Sequence, residues 1–151
     1  MTDCALPSLA AWDAPHPFVH PVTGKPDHIE ELGHANNAVY VMWLEECAWQ
    51  HSASLGLTVD DYTRLNRAMA VLRHEIDYLA SAYEGETLYL GTWIAVSDYK
   101  LRMKRNFQLR RADGKTLLRA QTTFVCIEMN SGKPKRMPEE FIAGYGKALK
   151  V

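Results

Sequence analysis

The chain has 151 residues, enough for one domain with a buried core. Its composition is 47% hydrophobic and 23% charged, as in soluble globular proteins, and a formal net charge of −1 argues against a nucleic-acid or membrane-surface partner. No apolar run approaches the ~18 residues that span a bilayer, and no basic stretch with an apolar core opens the chain, so neither membrane insertion nor a secretory leader is expected.

Residues 1–17 carry three prolines and are read as a loose or surface-hugging arm, with 18–151 as a single domain. Phe18–Val22 reads as a short strand, confined to a sheet edge by Pro21. Thr23–Pro26 is a turn. A polar loop, His28–Ala35, then runs into a long helix expected from Asn36 or Asn37 to about Leu55. Asn36 has N-cap chemistry and Gly56 is the expected stop. Val41, Leu44, Ala48 and Leu55 form one stripe of this helix, with Tyr40, Trp43 and Cys47 beside it. Thr58–Arg67 reads as a short second helix.

From Ala68 the pattern becomes strand-like: Met69–Leu79, Thr87–Val96, Leu101–Arg111 and Thr116–Glu128. Asp113-Gly114 between the last two is a hairpin signal. Pro138 is expected as the first residue of a last short helix. Strands segregated from one dominant helix define an α+β class, in which a curved antiparallel sheet wraps the helix. Cys4, Cys47 and Cys126 are few, odd in number and widely spaced, which points to reduced thiols and a cytoplasmic setting. Cys47 and His51 stand i and i+4 on the helix, and a core cysteine is preferred there over a nucleophile–base pair.

The segment Ile29-Glu30-Glu31-Leu32-Gly33-His34-Ala35-Asn36-Asn37-Ala38-Val39-Tyr40, followed by Trp43-Leu44-Glu45-Glu46, resembles the signature of hotdog-fold acyl-CoA thioesterases of the 4-hydroxybenzoyl-CoA thioesterase-like branch. The likeness continues through Ile76–Leu79 with Gly85-Glu86, through Thr123–Ile127, and through Gly132–Pro138. It covers about residues 18–142. Two positions depart from the pattern. Glu30 stands where the family commonly has aspartate, and Ser81-Ala82 stands where proline and alanine are common.

The resemblance implies a hotdog fold and hydrolysis of an acyl-CoA thioester without a cofactor. Hydrolysis needs an activated water or a direct nucleophile, and a donor for the oxyanion that forms. Glu30 is the carboxylate for the first task, as general base or nucleophile. The Asn37 backbone N–H, seven residues on at the positive end of the helix, is the implied donor. His34 either holds the loop through a backbone carbonyl or touches the substrate carbonyl. Asn36 is a cap or a ligand, and Tyr40 and Trp43 are core residues or walls of an acyl pocket. His28, Glu30 and His34 lack further ligands at zinc spacing, so no metal is expected.

Coenzyme A carries phosphates. Lys100 and Arg102, with Lys104, share a strand face, and Lys133, Lys135 and Arg136 cluster in the last turn. Each group is either a phosphate contact or a solvated surface. The open edge of a short sheet, with the resemblance, implies a homodimer or homotetramer with sites between subunits. Two other readings stay open: a thioesterase acting on acyl carrier protein, and a non-catalytic acyl-CoA binding module.

Overall fold

A computed structural model describes residues 12–150 of the chain. The described residues form one five-stranded antiparallel sheet and three helices. In chain order these are β1 (Phe18–Thr23), a 3-10 turn at Pro26–His28, α1 (Asn37–Ser54), α2 (Val59–Leu65), β2 (Arg67–Tyr78), β3 (Thr87–Ser97), β4 (Arg102–Arg111), β5 (Thr116–Glu128) and α3 (Glu139–Gly146). Most of the expected arm lies outside the described residues. Trp12–Ala14 lie on the outer face of the sheet. The Trp12 ring fills the space above Gly91, where an added Cβ would meet it at 2.7 Å. The Asp13 carboxylate takes a 2.7 Å bond from Arg119 Nε.

The helix ends follow from local chemistry. Asn36 has extended backbone angles, and its side-chain oxygen accepts the Ala38 N–H at 2.9 Å. Leu55 caps the other end, and Gly56 turns the chain away at φ 81. Thr58 and Asp61 form a reciprocal capping box on α2. That helix is shorter than expected: Asn66 stops it in the left-handed region, and Arg67 already belongs to β2. Pro138 is the N-cap of α3 rather than its first helical residue.

The sheet order is β1-β3-β4-β5-β2. β1 is an edge strand, where Pro21 costs no ladder bond on its open side. β2 is the other edge. Segment 79–86 therefore crosses from one side of the sheet to the other before β3 begins. Such a crossing carries no local signal, because strand order depends on pairings distant in sequence.

α1 lies on the inner face of the sheet, and α2 and α3 close the far end, so the helical layer is not α1 alone. Its buried face is Val39, Tyr40, Trp43, Leu44, Cys47, His51 and Ser52. This is rotated from the expected stripe: Val41 and Ala48 are half-buried, and Met42 and Trp49 are exposed. The helix carries apolar residues on nearly all sides, so its periodicity could not choose the face.

Two apolar clusters fill the interior. One joins Tyr40, Trp43 and Leu44 to Leu88, Leu90, Phe107, Leu109 and Leu118. The other joins Tyr62, Phe141 and Tyr145 to Ile94, Met103, Phe124 and Cys126. Between them the inner face of the sheet carries polar residues: Thr92 on β3, Arg105 on β4, Thr122 on β5 and His74 on β2. Arg105 and His74 are both paired with Thr122.

Candidate active site

The signature loop folds into a small hairpin. Its base pairs His28 with Asn36, whose N–H donates to the His28 carbonyl at 2.9 Å. Ile29 bridges Ala35 next, and Glu30 N–H donates to the His34 carbonyl at 3.0 Å. Gly33, at φ 88, closes the turn with its N–H on the Glu30 carbonyl at 2.9 Å. A side chain at that φ is strained, which is why glycine stands there.

The hairpin brings Glu30 and His34 side by side. Glu30 Oε1 lies 3.4 Å from His34 Nδ1 and accepts the Leu32 N–H at 2.7 Å. Both side chains are about one-third exposed, at 30% and 32%. Glu30 is two residues from the base pair that flanks the helix start, roughly 7 Å along the hairpin. Asn37 opens α1, where a helix leaves its first N–H groups without intrahelical acceptors. The Asn36 side chain takes the next one, that of Ala38. Asn36 is thus a cap, and its exposed side is at the same helix end.

The crossing segment 79–86 holds this assembly. Ala35 N–H donates to the Ala82 carbonyl at 2.8 Å, and Ala82 N–H donates to the Tyr40 hydroxyl at 2.9 Å. Burial raises the Tyr40 pKa, so its hydroxyl stays neutral and packed. His34 bridges Tyr83, and their rings meet edge to face at 6.3 Å. Trp43 is buried, with Tyr40 and His28 against it at 5.5 and 5.9 Å. Tyr40 and Trp43 hold the loop from beneath. Arg111, which the sequence reading names only as a strand end, braces the same corner. It pairs with Glu86 at 2.7 Å and donates to the Ser81 carbonyl at 2.8 Å.

The basic candidates lie elsewhere. Lys100 precedes β4, Arg102 begins it, and Lys133, Lys135 and Arg136 follow the end of β5. The loop assembly meets the sheet at the opposite end of β5, where Leu79 and Ala80 bond the Leu117 carbonyl. Ten residues of β5 separate Leu117 from Ile127, roughly 30 Å. Within one chain these cations and Glu30 are therefore not together. Lys135 is also paired with Glu128 at 3.0 Å.

A cavity of about 230 Å³ opens between α1 and the β2 side of the sheet. Leu44, Glu45, Ala48, Trp49 and Ser52 line it from the helix. These continue the helix face that Asn37 and Val41 begin, so the cavity lies along the helix from the loop site. The sequence reading missed its polar lining. The signal was the alternation Met103, Arg105, Phe107, Leu109, which places an arginine among inward-facing apolar residues. Cys47 is fully buried, with its S–H on the Leu90 carbonyl at 3.7 Å, and burial raises its pKa to about 12. It is a packing residue. Among the described residues, no three His, Cys, Asp or Glu side chains gather as a metal site.

Comparison with known proteins adds a family. Residues 25–144 match the model of the thioesterase-like superfamily. No curated protein sequence matches the chain. A 1,4-dihydroxy-2-naphthoyl-CoA thioesterase from Synechocystis is similar in fold, with TM-score 0.78, 19% identity, and coverage of 87% of this chain and 96% of that one. A Staphylococcus aureus protein solved in complex with CoA gives TM-score 0.81, 22% identity, and coverage of 90% and 87%. An acyl-ACP thioesterase from Bacteroides thetaiotaomicron gives TM-score 0.72 at 25% identity over 78% of this chain and 48% of that one. The sheet and helix arrangement described above is the hotdog fold these proteins share.

Proposed function

The chain belongs to the thioesterase-like superfamily, and from that premise we propose that it is an acyl-CoA thioesterase with Glu30 as its working carboxylate. The observation that carries this reading is the hairpin that sets Glu30 and His34 beside the N-terminus of α1. The thioester carbonyl lies between Glu30 and the Asn37 N–H. Glu30 takes the proton of a water that attacks the carbonyl carbon, or attacks it directly. The oxyanion is held by the Asn37 N–H and the positive end of the helix, the C–S bond breaks, and the thiolate leaves, taking up the proton that Glu30 received from water. On the direct route the thiolate is protonated from solvent, and water then opens the acyl–Glu30 anhydride to release the acid. His34 sits within reach of the Glu30 carboxylate and steadies it. Asn36 contributes by fixing the helix start.

The acyl group follows the helix face from Asn37 past Val41 into the cavity beside Ala48 and Ser52. Exposed Met42 and Trp49 on α1 lie on the same side as the unpaired edge of β2, where Val71 and Leu72 are also exposed. β2 is 12 residues long, and an uncovered edge of that length calls for a partner. A second copy paired antiparallel on β2 covers it. That pairing sets one copy's Arg67 end beside the other's Tyr78 end. It brings Lys100, Arg102, Lys133, Lys135 and Arg136 of one copy toward the loop site of its mate, where they meet the coenzyme A phosphates. A staphylococcal protein of this fold binds CoA, which supports CoA as the carrier.

Release of free thiol from a panel of acyl-CoAs tests the reading. Turnover of at least one member is expected, faster than the same acyl group on acyl carrier protein. Preference for the carrier protein would move the assignment to an acyl-ACP thioesterase. Tight binding without turnover would make the chain a binding module.

A further inference from the structure

Arg105 is 1% exposed, on the inner face of the sheet, between two apolar clusters. Among the described residues it bonds through Nη1, to His51 Nδ1 at 2.7 Å and Thr92 Oγ1 at 3.2 Å. Its Nε has no hydrogen-bond acceptor among the described residues. Among the described residues no carboxylate is paired with it. A guanidinium cannot shed its proton, so this is a buried cation whose hydrogen-bond partners are neutral. His51 is neutral as well: desolvation first, then the Arg105 and Lys150 charges, push its pKa down to about 3.

Several of the other polar groups around the cavity bond one another. Ser52 Oγ meets the Tyr145 hydroxyl at 2.9 Å, and Tyr145 also bonds the Tyr62 hydroxyl. His74 Nδ1 meets Thr122 Oγ1 at 2.8 Å. Glu45 lines the cavity too, but it is solvent-exposed. Arg105 thus stands out as the fully buried wall group with donor capacity left over. Buried cations are stable when an anion completes them, and desolvation makes such a pair selective.

The geometry points to an acyl group that carries an anionic acceptor, a carboxylate foremost, at the end remote from the thioester, with Arg105 as its receptor inside the cavity. The inference deepens the thioesterase reading and rests on it for the reaction. Most of the remaining wall is apolar or aromatic, with Leu44, Ala48, Met69, Met103, Phe107 and Phe124 among it, so the middle of the acyl group is hydrocarbon or a ring. A 150 Å³ cavity takes benzene, so about 230 Å³ suits a ring with a substituent.

Two measurements test this. In the first, thioesters matched in carbon number, plain acyl-CoA against ω-carboxyacyl-CoA, are compared by kcat/KM. The carboxylated member should be favoured at least ~10-fold by the wild type, since a site with buried unpaired donors rejects an analogue that lacks the acceptor. Arg105→Met should abolish the preference, bringing the ratio of the two kcat/KM values to about 1. Equal loss on both substrates, or a wild type that prefers the plain chain, would overturn the inference. The second needs no turnover. Benzoate should raise the melting temperature of the wild type more than its neutral isostere benzamide, and that difference should vanish in Arg105→Met. Should Arg105→Met fail to fold, Arg105→Lys keeps the cation and should retain a smaller benzoate preference. Equal effects of the two probes on the wild type refute an anion site. A benzoate preference without hydrolysis of any thioester would keep the receptor and remove the thioesterase.

Discussion

Replacing Glu30 by glutamine separates structure from chemistry at one position. In the folded chain Glu30 Oε1 accepts the Leu32 N–H at 2.7 Å and faces His34 Nδ1 at 3.4 Å. The glutamine amide oxygen can occupy the Oε1 position and keep the Leu32 bond. The backbone of the hairpin is held independently, by the Glu30–His34 and Gly33–Glu30 bonds. The side chain is about one-third exposed, so no buried charge is lost. Stability should therefore stay within about 0.5 kcal/mol of wild type, as for surface substitutions. The other oxygen becomes an NH₂, which neither accepts a proton nor attacks a carbonyl. A positioned general base is worth about 100- to 10,000-fold, so kcat should fall at least ~100-fold. Glu30→Asp should fall less, because an aspartate readily bonds the N–H two residues on and so keeps the Leu32 contact. The assay is thiol release from the best acyl-CoA, beside a thermal melt of each variant. A single turnover in ¹⁸O water adds the mechanism: label in Glu30 marks direct attack with opening at the enzyme carbonyl. A folded Glu30→Gln variant as fast as wild type would refute the role of Glu30.

Asn36→Ala removes the side-chain acceptor of Ala38 N–H and should cost about 1 kcal/mol of stability, with a larger drop in kcat than in substrate affinity, because it loosens the helix end that presents Asn37. His51 makes the fold acid-sensitive. Its folded pKa is about 3 against 6.5 unfolded, so the unfolded chain binds the proton first as pH falls. Stability is full above pH 6.5 and drops by about 1.4 kcal/mol per pH unit between 6.5 and 3. His51→Gln keeps an acceptor for Arg105 without titrating, and its denaturant midpoints should lack that slope; an identical slope would assign the effect elsewhere. The exposed β2 edge predicts a homodimer, with disruption and loss of activity when a proline is placed at Glu75; sedimentation as a fully active ~17 kDa monomer would contradict it.

Local chemistry made much of this protein legible from its sequence. The N-cap at Asn36, the glycine stop at Gly56, the Asp113-Gly114 hairpin and the strand alternation each depend on residues within four positions of one another, and they appear in the fold close to where the sequence puts them. The signature loop placed Glu30, His34, Asn36 and Asn37 together for the same reason: a nine-residue hairpin and a helix start are contiguous chain. Other features arise only when distant segments meet. The order of the strands sends segment 79–86 across the sheet to brace the loop through Ala82, and no neighbour in sequence announces it. The face of α1 that turns inward was undecidable in a helix apolar on most sides. Within one chain, antiparallel strands put the basic clusters at the end of β5 roughly 30 Å from the loop, a separation that no local pattern states. Arg105 reads in sequence as one more charge beside Lys104. Its burial follows from strand alternation combined with a helix layer that covers the inner face, and that covering is a property of the whole domain.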